Sequence, residues 1–155
     1  MKRVTKTRKV DPGNEPFLKV LRPLVETYYA FLRKSDRHIR SLGLTSSQFD
    51  VLVTLGDTEG MTCTELSDKT LVTKGTLTGV VDRPDAKGLI ARLPSRDDRR
   101  CTTIQLTAKG DAVFRQVFPA HIDHIKPYFE RALGGAKMKA LRGMLLQLKE
   151  SLETG

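Results

Sequence analysis

Between Thr62 and Gly110 the chain carries hydroxyl, lysine and arginine side chains in an order suited to gripping an anionic duplex. Pro94-Ser95-Arg96-Asp97-Asp98-Arg99-Arg100 reads as the tip of a β-hairpin that follows two short helical stretches. A helix of this kind fits a major groove, and an arginine-tipped ribbon reaches a neighbouring groove or the phosphates. On the second helix, expected from Thr73 to about Lys87, Lys74, Thr76 and Thr78 occupy the N-terminal half, the half that enters the groove. Lys74 can donate to guanine O6/N7 or to a phosphate, and a threonine offers a hydroxyl and a methyl that can meet thymine. Thr73 reads as an N-cap. Thr62 and Thr64 open the preceding helix, where backbone amides and the helix dipole suit a phosphate; simple capping accounts for them equally well. A charge run such as Arg96, Arg99 and Arg100 is usually a solvated turn, but on a short hairpin tip in a strongly basic chain it points to DNA.

The flanking elements follow from hydrophobic spacing. Residues 1–14 read as a disordered basic arm, Lys2-Arg3-Val4-Thr5-Lys6-Thr7-Arg8-Lys9 followed by a breaker cluster. From Glu15 to Ser41, Phe17, Leu21, Leu24, Tyr28 and Phe31 recur at steps of three and four, with Leu18, Val25 and Leu32 as a second ridge. Pro16 suits the first turn of that helix; Pro23 should bend it or mark a late start. Gly43 ends it. Thr45-Ser46-Ser47-Gln48 is a capping box for a second helix to about Thr58, and Thr62-Cys63-Thr64-Glu65 is another, opening a helix to Lys69. Gly88 closes the helix begun at Thr73. Leu89 to Leu93 and Cys101 to Leu106 are strands, with Thr102, Ile104 and Leu106 alternating inward. A long helix from Thr107 should be interrupted by Pro119 and Pro127. After Gly134-Gly135, Met138, Leu141, Leu145, Leu148 and Leu152 repeat at 3-4-3-4, the seam that coiled-coil-like pairing uses. Packing within one subunit is the alternative, yet the first and last helices together offer more apolar face than the small central unit can cover. Phe17, Leu21 and the Met138-to-Leu152 stripe are therefore the expected dimerisation surface.

Composition narrows the function classes. Twenty-seven basic against 18 acidic residues give a formal charge of +9, which attracts polyanions. No apolar run approaches the ~20 residues of a spanning helix, and the basic start lacks the apolar stretch of a signal peptide. At 155 residues the chain is expected to be one globular domain. Two cysteines, Cys63 and Cys101, do not suggest a disulfide scaffold, so a reduced, cytoplasmic protein is expected. Tryptophan is absent and aromatics are few, against a base-stacking single-strand binder.

The central stretch resembles the MarR (multiple antibiotic resistance regulator) family of winged helix-turn-helix transcription factors. Leu77-Thr78-Gly79-Val80-Val81-Asp82-Arg83, Lys87-Gly88-Leu89-Ile90, Arg92, Pro94-Ser95, Asp97-Asp98-Arg99-Arg100 and Leu106-Thr107-Ala108-Lys109-Gly110 carry the likeness. With the order of helices around them it covers roughly residues 15 to 153. The resemblance implies a mainly α fold: an N-terminal dimerisation helix (15–44), a winged helix-turn-helix region with a two-stranded wing (45–106) and C-terminal dimerisation helices (107–155). It implies a cytoplasmic homodimer that binds pseudo-palindromic promoter DNA and often releases it on binding a small aromatic or anionic ligand. On the family pattern, Asp98 would orient Arg100 through a charge-assisted hydrogen bond and Arg100 would enter the minor groove. Asp82 and Arg83 would brace the helix. The ligand pocket would lie between the first two helices, the helix after the wing and the DNA-binding unit, with Tyr28, Tyr29, Phe31, Arg37, His38 and Phe49 as candidate lining. Two departures stand out. Pro84-Asp85 replaces a leucine followed by an acidic residue, which should end or kink the recognition helix. Gly79 stands where many members carry arginine, although other members have glycine.

Other chemistry is thinner. His121-Ile122-Asp123-His124 places imidazoles at i and i+3, with His38 elsewhere in the chain; no cysteine or glutamate joins at metal-ligand spacing, so neither a metal nor another cofactor is expected. Cys63 near a helix start could be redox-active, though no resolving partner is evident, and Cys101 lies on the wing strand. No Gly-x-Ser-x-Gly, His-Glu-x-x-His or phosphate-cradling glycine loop is present, so an enzyme is not expected. The expected function is a dimeric repressor relieved by a small ligand; an architectural DNA-binding protein without effector is the alternative.

Overall fold

The computed structural model describes residues 11–82, 88–94 and 102–155. Its elements, after a 3-10 turn at Pro12–Asn14, are α1 (Pro16–Ser41), α2 (Ser46–Leu55), β1 (Met61–Thr62), α3 (Cys63–Lys69), α4 (Lys74–Asp82), β2 (Ile90–Pro94), β3 (Thr102–Leu106), α5 (Ala108–Ala132) and α6 (Gly135–Glu153). Two compact units divide at Lys34, within α1, and Ser35–Gly155 forms the larger.

Local chemistry sets the short elements. Thr45 caps α2 in a full capping box: its hydroxyl accepts from the Gln48 amide and the Gln48 side chain accepts from the Thr45 amide. Thr62 and Glu65 repeat this at α3. Gly43, with φ of 83°, takes the left-handed turn after α1. α2 stops at Leu55, three residues before the expected end: the Gly56 amide still donates to Leu52 O, but its ψ of 139° turns the chain out of the helix.

The sheet is antiparallel in the order β1-β3-β2. Ile90 pairs with Leu106 and Pro94 with Thr102, so residues 95–101 join the paired ends of the expected hairpin. β1 adds an edge strand that pairs Met61 with Ile104. A two-residue strand carries no periodicity, and the two-stranded wing therefore gains a third strand that its own sequence does not announce.

Two apolar clusters hold the larger unit. One gathers Val51, Leu55, Met61, Leu66, Leu77, Val81 and Ile104, which locks the two helices of the turn onto the root of the wing. The other gathers Ile39, Leu44, Leu52, Leu89, Phe114 and Val117, which ties the end of α1 and one face of α2 to α5. Helices as short as α3 and α4 are marginal alone, below the ~12–15 residues at which isolated helices begin to persist. Leu66 and Leu77, at 0 % and 1 % exposure, are what hold them.

Both long proline-bearing helices run through. α1 starts at Pro16 and contains Pro23, so the late start does not occur. α5 contains Pro119 and Pro127 without the expected interruption. Each proline forfeits one amide donor, while Phe114, Val117 and His121 stay buried along one face of α5; tertiary packing outweighs the local loss.

The Leu-Thr-x-x-Gly motif acquires a physical reason. The Thr107 hydroxyl accepts from the Gly110 amide as N-cap of α5 and donates to the Gly88 carbonyl, while the Thr107 amide donates to Leu89 O at 2.9 Å. A Cβ at Gly110 would run into the Leu89 carbonyl oxygen, so backbone meets backbone only with glycine there. Gly110→Ala is expected to lower stability by about 1–3 kcal/mol, the usual cost of overpacking, read as a lower urea midpoint; an unchanged midpoint would remove this contact from the account.

Candidate nucleic-acid interface

The recognition helix is presented by α3, a four-residue connection (70–73) and α4. Leu77 and Val81 bury the inner face of α4, which leaves Gly75, Thr76, Thr78 and Gly79 exposed on the other. Thr73 caps α4, as its position predicts: its hydroxyl accepts from the Thr76 amide and donates to the Thr76 hydroxyl at 2.9 Å. The Thr76 hydroxyl is thereby held by its cap on the exposed face of α4. A Cβ at Gly75 or Gly79 would meet nothing within 4 Å, so the exposed face of α4 is low and a groove floor can approach the backbone closely. Lys74 is the first residue of the helix.

At the start of α3 the two threonines part ways. Thr62 uses its amide and its hydroxyl hydrogen on Glu65 Oε2, at 2.8 and 2.9 Å. Those two bonds hold the Glu65 carboxyl below its ordinary value, with a smaller contribution from Lys69. The helix start is therefore occupied by its own carboxylate, and Thr64 is the exposed hydroxyl of that turn.

Asp50 on α2 fixes the turn between α3 and α4. Its carboxylate accepts from the Leu71 amide at 2.7 Å, while the Leu71 side chain stands 96 % exposed. Partial burial raises the Asp50 carboxyl and the Leu71 bond opposes that rise. Sequence reading missed this residue, because its partner is 21 positions away and no motif marks the pair.

Arg96, Asp98, Arg99, Arg100 and Cys101, together with Arg83 and Pro84, lie outside the described residues. What is described is the frame that carries the wing tip: the paired ends Pro94 and Thr102, and Arg92 exposed on β2.

The expected effector-pocket residues divide between the two units. Tyr28, Tyr29 and Phe31 belong to the smaller, where the tyrosine rings lie 5.8 Å apart and all three side chains are exposed. In the larger, Phe49 packs edge-on against His121 at 4.8 Å, and His38 Nδ1 lies 3.0 Å from His121 Nδ1; Arg37 is exposed. His38 is thus not apart from the α5 histidines but in contact with them. Cys63 is an exposed free thiol at the first position of α3. Among the described residues no group of three His, Cys, Asp or Glu is arranged to hold a metal, and no helix is long and apolar enough to cross a membrane.

The Asp50 tie gives a direct test. Asp50→Ala should cost about 1–2 kcal/mol by stranding the Leu71 amide, whereas Asp50→Asn, which keeps an acceptor without a half-buried charge, should cost less than half as much; equal losses in denaturant titrations would mean the hydrogen bond is irrelevant.

Comparison with known proteins agrees with this geometry. Residues 44–102 match the family model described as MarR family. The HTH-type transcriptional regulator MhqR of Bacillus subtilis is 33 % identical over 111 residues, 72 % of this chain and 77 % of the relative. The fold is shared with AbsC, a MarR family transcriptional regulator from Streptomyces coelicolor, at a TM-score of 0.82 and 24 % identity over 96 % of this chain and 100 % of that one. It is shared with Sco3205 of the same organism, solved in complex with DNA, at 0.79 and 23 % over 96 % and 92 %. It is shared too with Bordetella bronchiseptica BpsR, whose DNA binding is regulated by 6-hydroxynicotinic acid, at 0.75 and 23 % over 92 % and 98 %. The chain belongs to the MarR family: it is a winged helix-turn-helix, DNA-binding transcriptional regulator.

Proposed function

We propose that this regulator is a homodimeric repressor that reads a pseudo-palindromic site and is relieved by a small aromatic or anionic ligand. One observation carries the dimer: α6 runs for 19 residues with no buried residue, and Leu145, Leu148 and Leu152 stand 42 %, 40 % and 75 % exposed. Helix-long apolar seams are ordinarily covered, and a second copy of the same seam is the simplest cover. Phe17 and Leu21 on α1 are exposed as well and belong to the same proposed interface, as do Met138 and Leu141.

Two copies present two α4 helices. In each, Lys74, Thr76 and Thr78 face the major groove, Thr62 and Thr64 lie toward the phosphates, Arg96 and Arg99 of the wing reach a neighbouring groove or the phosphates, and Arg100, oriented by Asp98, enters the minor groove. Of the α3 threonines, Thr64 is the better placed, since the Thr62 donors are engaged by Glu65. The formal charge of +9 supplies the sequence-independent part of the affinity. For the effector, Phe49 and His38 beside His121 offer an aromatic wall with polar nitrogens, with Tyr28, Tyr29, Phe31 and Arg37 as further candidates. Regulation of BpsR by 6-hydroxynicotinic acid, a hydroxylated aromatic acid, supports this choice of ligand class.

A selected palindromic duplex should outcompete random DNA by about 10³ or more, with affinity falling steeply between about 50 and 200 mM salt; salt-sensitive binding without preference would instead mark an architectural protein. Arg100→Ala should weaken binding by about tenfold or more, the loss of roughly 1–3 kcal/mol expected for one groove contact, while leaving the dimer intact; unchanged affinity would remove the wing from recognition. Replacing Leu145 and Leu148 with Glu should give monomers by light scattering, and a variant still dimeric would place the interface elsewhere.

A further inference from the structure

All three histidines of the chain meet at one place. His38 comes from the last turns of α1, His121 and His124 from α5. His38 Nδ1 and His121 Nδ1 are 3.0 Å apart, and His121 Nε2 lies 3.1 Å from the hydroxyl of Ser35, itself buried. The His124 ring stacks on His38 at 4.0 Å with the planes 4° apart. His121 is only 7 % exposed, with the Phe49 ring of α2 against its edge.

A nitrogen-to-nitrogen hydrogen bond needs one N–H and one bare lone pair. The His38–His121 contact therefore closes when both rings are neutral or when one is charged. Once both are imidazolium, two N–H groups face each other and the contact must open. The stacked His124 ring makes the same demand, because a second positive charge face to face at 4.0 Å repels the first. Among the described residues no counter-charge relieves this. From α1, Asp36 is engaged by Arg40 Nε at 2.7 Å and the Ser46 hydroxyl at 2.6 Å. From α5, the Tyr128 ring meets the edge of His124. Arg37 and Asp123 lie in the same stretches of helix, and among the described residues no carboxylate or cation hydrogen-bonds to any of the three rings. A shared metal does not suit the geometry either: Ser35 holds one His121 nitrogen, and parallel rings do not aim their lone pairs at one point.

We propose that Ser35, His38, His121 and His124 form a proton-operated latch between α1 and α5, closed when the imidazoles are neutral and opened by uptake of a second proton, with loss of affinity for DNA. The inference rests on the regulator reading for its output. α5 begins one residue beyond β3 and supplies Phe114 and Val117 to the cluster that holds Leu44, Leu52 and Leu89, so release of its contact with α1 loosens the support of the helix-turn-helix. The energetic direction agrees. Burial first, then the neighbouring imidazole charge, lowers His38 and His121 below the ordinary value of 6.5. The folded state therefore binds fewer protons than the unfolded chain near that pH. The latch contributes its full stability above about 6.5, the unfolded value, and loses it as pH falls from there through the lowered folded values.

Because the chain has no other histidine, every imidazole signal reports on this cluster. Imidazole Hε1 resonances of the full chain, followed from pH 8.5 to 5, should move in coupled steps, those of His38 and His121 with midpoints below 6.5. Three independent titrations at the ordinary value would overturn the latch. In parallel, a duplex that the chain itself selects from random sequence at pH 8.0 is titrated at pH 8.0 and 5.5 at one ionic strength, with and without chelator. Affinity should fall about 5–150-fold, the span of ordinary allosteric coupling, in both conditions. The His38→Gln, His124→Phe double variant, which spares the buried His121 and keeps a stacked ring, should show the same affinity at both pH values. A wild-type slope retained in that variant, no slope in the wild type, or a slope abolished by chelator would each overturn the proposal. Failure to select any duplex at pH 8.0 would strike the regulator reading instead, and the resonance titration would still decide the latch.

Discussion

The contact between the Leu89 carbonyl and the start of α5 is the constraint on which the rest depends. It joins the strand entering the wing to the helix leaving it, through one threonine hydroxyl bonded in both directions and one glycine that yields the space for a carbonyl. Neither the seven-residue α3 nor the nine-residue α4 would persist as a free helix. Their position is inherited from the sheet through Ile104, Met61 and Leu77, and the position of the sheet is inherited from α5 through Thr107. A recognition surface built from such short pieces is as exact as that junction.

Much of this was legible in the chain because it is local. The two capping boxes predicted the starts of α2 and α3 to the residue, and Thr73 and Thr107 marked the caps of α4 and α5. The first wing strand was displaced by only one residue, Ile90–Pro94 against 89–93, since the ends of a hairpin are set by register, and the second ends at Leu106 as expected. What sequence could not supply are contacts between distant positions. Asp50 and Leu71, Met61 and Ile104, and His38 with His121 are brought together by packing, and none of those pairs has a spacing rule. The interruption expected at Pro119 and Pro127 failed for the same reason: a missing amide is a local loss, and the burial of Phe114, Val117 and His121 overrides it.

The surface of the protein divides by chemistry. On α4, threonines and glycines make a low polar ridge whose hydroxyls are partly held by their own caps. On α6 no residue is buried, and Leu145, Leu148 and Leu152 stand exposed. The helix α5 touches α2 through the core and the end of α1 through imidazoles. A signal that loosens α5 is thus placed to act on the recognition helices, whether it arrives as a proton at the histidines or as an aromatic ligand beside Phe49.

Central to this account is that two chains act on one duplex. Sedimentation velocity of the full chain mixed with a selected duplex of about three helical turns, roughly 30 base pairs, measures this most directly. The account predicts a single complex with two chains per duplex and no stable species with one. A complex containing one chain, or a stoichiometry that climbs continuously with added protein, would contradict it.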